Sequence, residues 1–382
     1  MTGGGQPTQQ SNQGGGGGGL GSLMGMLGGG GSKPQQHQQQ QSSGGGLSST
    51  LMGLMGSKPQ SNSAPPPTSG PIRPNSSGSV SDEAEFAQQA ATAIAGDVKM
   101  FSGCQDHQTS ADVQDISKFG LPDANGAGGA CTNAILLTLQ RSPQPTWFEM
   151  LSGMRSVLKT KRFSQVPQLS SSRKLSMNQR FSVMNENSNG RTKALMIGIN
   201  YVGQQGELSG CHNDVKGMVE YLKSSGYSDT NETMKLLMDD ALHESPTASN
   251  IMGGFKWLLA GAQPGDSLFF HYSGHGGSMP DDNGDEADGK DETMVPLDYQ
   301  RAGQIRDDLI FTELVVGVPK GVTLTVVMDC CHSGSILDLP YMFKADSATM
   351  DAVAGGQAVP EMSGNPQVHH SFSCFDCQPS LS

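Results

Sequence analysis

Four short apolar runs, KALMIGIN (193–200), MKLLMDD (234–240), DSLFFHYSG (266–274) and VTLTVVMD (322–329), constrain this chain more than any other feature. Runs so short and so uniformly apolar suit strands buried on both faces. Between them lie NDVKGMVEYLKSSG (213–226) and SNIMGGFKWLLAGA (249–262), whose apolar residues recur at helical spacing; the first closes on Gly226, as a helix C-cap does. Strand, helix, strand, helix, strand is the pattern of a mostly parallel sheet flanked by helices on both faces, an α/β fold with one continuous sheet. Upstream, DVKMFSGC (97–104) reads as a strand, CTNAILLTLQRS (131–142) and TWFEMLSGMRSVLKTKRF (146–163) as helices, and RFSV (180–183) as a last strand.

This pattern divides the chain. Residues 1–92 form a Gly/Gln/Ser/Pro-rich region too poor in large apolar side chains to offset the entropy of ordering, and they are expected to be disordered. A first globular segment covers 93–184, a polar linker 185–192, a second globular segment 193–340, and a C-terminal tail 341–382. The first region holds an imperfect repeat, LMGMLGGGGSKPQQ (23–36) and LMGLMGSKPQ (51–60), which reads either as paired docking patches or as drift in low-complexity sequence. A formal net charge of −12 argues against nucleic acid or anionic membrane as partners, because both need clustered Lys and Arg. Seven cysteines, odd in number and unevenly spaced, do not form a disulfide framework and fit reduced thiols in a cytoplasmic setting. There is no secretory leader pattern and no stretch of eighteen apolar residues. A monomer is the expectation.

In parallel sheets, ligand sites lie at the carboxyl ends of the strands. Two of the runs end in HYSGHGG (271–277) and DCCHSGS (329–335). Side chains alternate along a strand, so Asp329 and Cys331 share one face while Cys330 and His332 share the other. His332 is therefore badly placed to serve Cys331. His275, on the other strand end, is the better base, since an imidazole in hydrogen-bond reach can take the proton of a thiol. Gly276 and Gly277 let backbone approach a substrate carbonyl, and N–H groups near Gly276 and Cys331 suit an oxyanion hole. An acyl-transfer site follows.

HYSGHGG and DCCHSGS, preceded by ALMIGINY (194–201) and LSGCHNDV (208–215), resemble the large-subunit region of metacaspases, caspase-like cysteine peptidases. FSGCQDHQTSADV (101–113) and VPQLSSSRKL (166–175) resemble the family's small-subunit region, so the resemblance runs from about Gly96 to Tyr341. Here the small-subunit-like segment comes first, which is similar to the arrangement called type III. The last strand of one region and the first of the other lie about four strands apart in the family sheet, roughly 19 Å at ~4.8 Å each. Residues 184–193 span about 30 Å when extended, so the linker reaches.

The resemblance implies Cys331 as nucleophile and His275 as its partner, in agreement with the alternation. It also implies cleavage of protein or peptide substrates after Arg or Lys, with Asp214 and Asp329 binding the basic side chain and Cys211 and Ser273 lining the pocket. A carboxylate at 329 would raise the thiol pKa, so a substrate-binding role suits it better than activation. Two carboxylates facing a guanidinium give strong, directional recognition.

PDDNGDEADGKDE (280–292) holds seven carboxylates against one lysine. It fails the EF-hand pattern, because counting from Asp281 puts Glu286 where the loop needs glycine. A solvated acidic loop is one reading. The resemblance implies another, a calcium ion held by Asp291, Asp307, Asp308 and Asp338, the last only seven residues from Cys331. It also implies self-cleavage at basic residues, for which Arg173, Lys174, Arg191 and Lys193 are candidates without a choice among them. Cys374 and Cys377 form a C-x-x-C beside His369 and His370, read as part of a loose tail. Two functions of other classes compete with the calcium-dependent peptidase: a catalytically silent scaffold and a calcium or redox sensor. Intact Cys331 and His275 weigh against the scaffold.

Overall fold

FFHYS and TVVMD lie side by side at the centre of the molecule, buried along their whole length. The computed structural model describes residues 80–104, 112–113, 127–281 and 289–366. In chain order its elements are α1 (Val80–Ala93), β1 (Asp97–Ser102), β2 (Asp112–Val113), β3 (Gly128–Gly129), α2 (Ala130–Arg141), α3 (Trp147–Thr160), β4 (Gln168–Ser171), β5 (Thr192–Gly198) and α4 (Cys211–Ser224). There follow β6 (Met234–Met238), α5 (Ala248–Leu259), β7 (Ser267–Ser273), β8 (Gly276–Pro280), β9 (Lys290–Met294), α6 (Tyr299–Ala302) and β10 (Ile305–Arg306). The last are α7 (Asp307–Ile310), continued by a π-helical turn to Val315, then β11 (Thr323–Asp329), β12 (Tyr341–Lys344), α8 (Ser347–Ala354) and β13 (Ser363–Gly364). None of these helices is long and apolar enough to cross a membrane.

One sheet of eight strands carries the fold, in the order β13-β12-β4-β1-β11-β7-β5-β6. The five from β1 to β6 are mutually parallel, and β4, β12 and β13 add an antiparallel flank. β1, from the first globular segment, pairs with β11, from the second, across the six positions from Asp97↔Thr323 to Ser102↔Met328. The sheet is thus continuous through both segments. β4 and β5 stand four places apart, the separation expected for the linker.

Alternation along β7 assigns the faces. Phe270 packs on Phe255 of α5, whereas Phe269 meets Tyr227, His271 meets Thr132 of α2 and Ser273 meets Asp214 of α4. Helices therefore cover both sides. α3 begins with a full capping box, Thr146 and Glu149 each bonding the other's backbone N–H, which contributes about 1 kcal/mol. α4 stops at Ser225, with Gly226 at φ +99° just beyond, a conformation that glycine adopts without a Cβ clash.

Three boundaries drawn on the sequence move. RFSV is no strand: Arg180 makes one isolated bridge to Thr146, and Phe181 turns its ring onto Trp147 and Phe101. The strand at that place is β4, whose polar QLSS is buried only because β1 and β12 flank it. Residues 80–92, assigned to the disordered region, are helical, since Phe86 and Ala90, one turn apart, and Ile94 just beyond make an apolar stripe that the fold buries. The tail drawn from 341 is folded as far as 366: Tyr341, Met342 and Phe343 are buried, and Tyr341 packs edge-on against Phe86. The linker is tied down, with the Asn185 N–H donating to Ser267 Oγ at 2.8 Å and Asn189 Nδ2 to Asp266 Oδ1 at 2.8 Å. Residues 1–79 with their repeat, the acidic stretch 282–288 and the C-x-x-C segment lie outside the described residues.

Candidate active site

Because β1, β11, β7, β5 and β6 are parallel, their carboxyl ends gather on one rim. Asp329 and Ser273 are partners in the β11–β7 register, and Gly198 of β5 pairs with Ser273 in turn. Cys331 follows two residues beyond Asp329, and His275 two beyond Ser273. The strands bring the two segments together tightly. A Cβ placed on Gly276 would lie 1.9 Å from the Cys331 carbonyl oxygen, so no other residue fits where β8 passes the loop that carries Cys331.

The backbone of His275 is locked by two buried tyrosines. Its N–H donates to Tyr201 Oη at 3.0 Å, and its carbonyl accepts from Tyr272 Oη at 2.7 Å. The Tyr201 ring also lies 4.7 Å from the imidazole, centroid to centroid. Burial raises both phenols well above their usual range, so they stay protonated as donors. The imidazole Nε2 sits 2.6 Å from the carbonyl oxygen of Gly206. A carbonyl only accepts, so Nε2 carries the proton and Nδ1 is left able to take another.

Cys330 is fully buried on the side of Tyr201 and Tyr272, and burial raises its pKa far above that of a free thiol. It remains an inert neighbour. Cys331 is partly exposed. Below it, Ser333 Oγ bonds the Cys330 carbonyl at 3.0 Å and Ser102 Oγ at 2.9 Å, tying the Cys330–Cys331 loop to the end of β1. Cys104 donates to the same carbonyl at 3.3 Å, and burial, then the proximity of Cys331, pushes its thiol up to about 12.

On the opposite face Asp214 and Asp329 come together with Ser273. Ser273 Oγ donates to Asp214 Oδ2 at 2.7 Å. The two carboxylates also share the N-terminal turn of α2: the Gly129 N–H donates to both oxygens of Asp214, at 2.8 and 2.9 Å, and the Thr132 N–H to Asp329 Oδ2 at 2.8 Å. Asn133 Nδ2 adds a 3.3 Å bond to Asp214. Unpaired helix N–H groups and the helix dipole favour negative charge there. Cys211 opens α4, its N–H bonded to Asn200 Oδ1 at 3.0 Å and its carbonyl against Gly198.

Asp291, Asp307 and Asp308 each present an oxygen within 4.8 Å of the others, a set of hard donors suited to a divalent cation such as calcium. The Arg306 guanidinium contacts Asp291. Asp338 is not among these three; it is buried in the turn that follows Cys331, at φ +46°, its N–H donating to the Ser335 carbonyl at 2.6 Å.

Gly129, Thr132, Asn133 and Gly206 escaped the sequence reading. Gly128–Gly129 ahead of an apolar helix was the only signal for the first three, and it reveals a helix start but not what the helix faces. Nothing marks Gly206, whose role is played by its carbonyl.

A family model described as the metacaspase peptidase C14 domain matches residues 192–340, and one described as the caspase domain matches residues 25–177. Metacaspase III c of Phaeodactylum tricornutum is 48% identical over 271 residues, which is 69% of this chain and 80% of that protein. Metacaspase-1 of Mycosarcoma maydis is 51% identical over 168 residues, 44% of this chain and 41% of its own length. A solved structure of a Geobacter sulfurreducens protein shares 29% identity, over 39% of this chain and 53% of that one, with a TM-score of 0.31.

Proposed function

We propose a reaction for this chain from one premise: it belongs to the metacaspase family of cysteine peptidases. The reaction is calcium-dependent hydrolysis of peptide bonds that follow Arg or Lys. His275 Nδ1 takes the proton of Cys331, and the thiolate attacks the scissile carbonyl carbon, sending an electron pair onto the carbonyl oxygen. Backbone N–H groups at Gly276 and Cys331 hold that oxyanion. Its collapse breaks the C–N bond, the leaving amine takes the proton from His275, and a thioester remains on Cys331. Water, deprotonated by His275, then hydrolyses the thioester. The Gly206 carbonyl on Nε2 supports these roles, because it keeps the ring in the tautomer that can act as a base.

One observation carries the specificity. Asp214 and Asp329 approach so closely that a single Cβ on Gly129 would lie 2.8 Å from an oxygen of the first and 2.2 Å from one of the second. Two buried carboxylates at the rim, beside the nucleophile loop, suit a guanidinium or ammonium and repel an aspartyl side chain. The carboxylates of Asp291, Asp307 and Asp308 fit calcium, and Asp338 would complete the set from the nucleophile loop. When bound, the ion supplies charge neutralisation and loop order, not a reacting group.

The test compares fluorogenic peptides that differ only in an Arg, Lys or Asp before the scissile bond, using wild type and Cys331→Ala with calcium chloride or with chelator. Wild type is expected to cleave the arginyl and lysyl peptides in calcium alone, and Cys331→Ala to lose about 10³-fold or more. Preference for Asp overturns the pocket assignment, and undiminished turnover in chelator overturns the calcium requirement.

A further inference from the structure

The β8–β9 hairpin touches the nucleophile loop at two places. At one end Gly276 abuts the Cys331 carbonyl. At the other, Glu292 of β9 is buried, and its Oε2 accepts from Ser335 Oγ at 2.8 Å. Glu292 follows Asp291 directly, and its own N–H donates to Asp307 Oδ2 at 2.5 Å. Backbone and side chain of one residue thus join the carboxylate cluster to the loop that carries the thiol. Ser335 continues the connection, because its carbonyl accepts from the Asp338 N–H at 2.6 Å and so fixes the turn ending at Asp338. Ser335 lies four residues from Cys331, and Ser333 between them bonds the Cys330 carbonyl and Ser102.

We propose that Glu292 and Ser335 are positioning residues that transmit cation occupancy of the Asp291–Asp307–Asp308 cluster to Cys331. The inference rests on the calcium reading above. A buried carboxylate accepting from a hydroxyl makes a charge-assisted bond, strong and directional enough to set the loop. Removing the hydroxyl leaves every cluster carboxylate in place. The cation then binds as before, and the loop no longer follows.

Ser335→Ala separates the two events. Calorimetric titration of calcium chloride into Ser335→Ala is expected to give the stoichiometry of wild type and a Kd within about threefold of it. Calcium is expected to accelerate iodoacetamide labelling of Cys331 in wild type and to lose this effect in the variant, while kcat on an arginyl peptide falls at least tenfold with KM little changed. Ser335→Thr, which keeps the hydroxyl, is expected to retain most of the calcium response. Should Ser335→Ala fail to fold, Glu292→Gln, which removes the charge from this bond, is expected to take up calcium like wild type with a weakened labelling response, and an undiminished response in it overturns the inference. A Ser335→Ala protein whose labelling and kcat respond to calcium like wild type overturns the inference while leaving the calcium reading standing. Wild type that takes up no calcium in the calorimeter overturns both.

Discussion

Gly129 shows how much one missing methyl group can decide. Its φ of −72° and ψ of 140° suit alanine, so Gly129→Ala costs nothing in backbone strain. The new Cβ must push Asp329 or Asp214 aside, because it would fall 2.2 Å from one carboxylate and 2.8 Å from the other. KM for an arginyl peptide is expected to rise about tenfold, equivalent to ~1.4 kcal/mol of lost binding. Alkylation of Cys331 by iodoacetamide, a small uncharged probe, should proceed at the wild-type rate. Equal KM values in stopped-assay kinetics would remove Gly129 from the pocket. At this scale the sequence is legible wherever a side chain acts. Strand alternation set His332 aside and turned attention to His275, while the family resemblance chose Cys331 over Cys330 and supplied Asp214 and Ser273. It is silent wherever backbone acts, as the N–H groups of Gly129 and Thr132 and the carbonyl of Gly206 do, because any residue brings those atoms and only the fold aims them.

Single elements carry costs that the motifs hide, and β7 is the clearest case. His271 lies fully buried on this central strand, with Nε2 3.2 Å from Thr132 Oγ1 and Nδ1 without a hydrogen-bond partner. Burial lowers its pKa from 6.5 to about 3. The folded protein therefore keeps it neutral while the unfolded chain protonates it, and the sign follows. Above pH 6.5 the residue adds no pH dependence; as pH falls from there towards about 3, it removes up to ~1.4 kcal/mol of stability per pH unit. His271→Met is expected to flatten this limb, measured as urea-unfolding free energies at several pH values between 6.5 and 4.5. An unchanged slope in the variant would show that other groups set the acid limb. β7 was legible as an element because its centre, LFF before His271 and Tyr272 after it, is apolar on both faces, the two serines standing at its ends. β4 and β12 were not, since QLSS has no apolar pattern and YMFK is too short for its burial to be read without the neighbours that cause it.

For the whole molecule, the order of the two segments along the chain matters less than the sheet that they share. β1 pairs with β11 over six positions, and β4 is held between β1 and β12, so the first segment is hydrogen-bonded at two separate seams to the chain that follows the linker, once through the second segment and once through the folded start of the tail. The linker from 185 to 192 crosses four strand positions without contributing a strand of its own beyond Thr192. Its basic neighbours are occupied. Arg191 bonds the Gly261 carbonyl and pairs with Asp266, and Lys193 lies within β5, its ammonium 4.6 Å from the Trp257 ring and bonded to the Trp257 and Ala260 carbonyls at the C-terminal end of α5. A break in the linker therefore removes one covalent connection and none of the ladder bonds between the segments. With a recognition site for an unrelated protease inserted at Ser188–Asn189, the cut protein is expected to elute from a sizing column as one species of unchanged volume. It should also retain arginyl-peptide turnover within about twofold. The loss is entropic and small while the seams stay closed, since the cut adds freedom mainly to the unfolded chain. Separation of the fragments without denaturant would mean that the linker, and not the β1–β11 and β4–β12 seams, holds the two segments in one sheet.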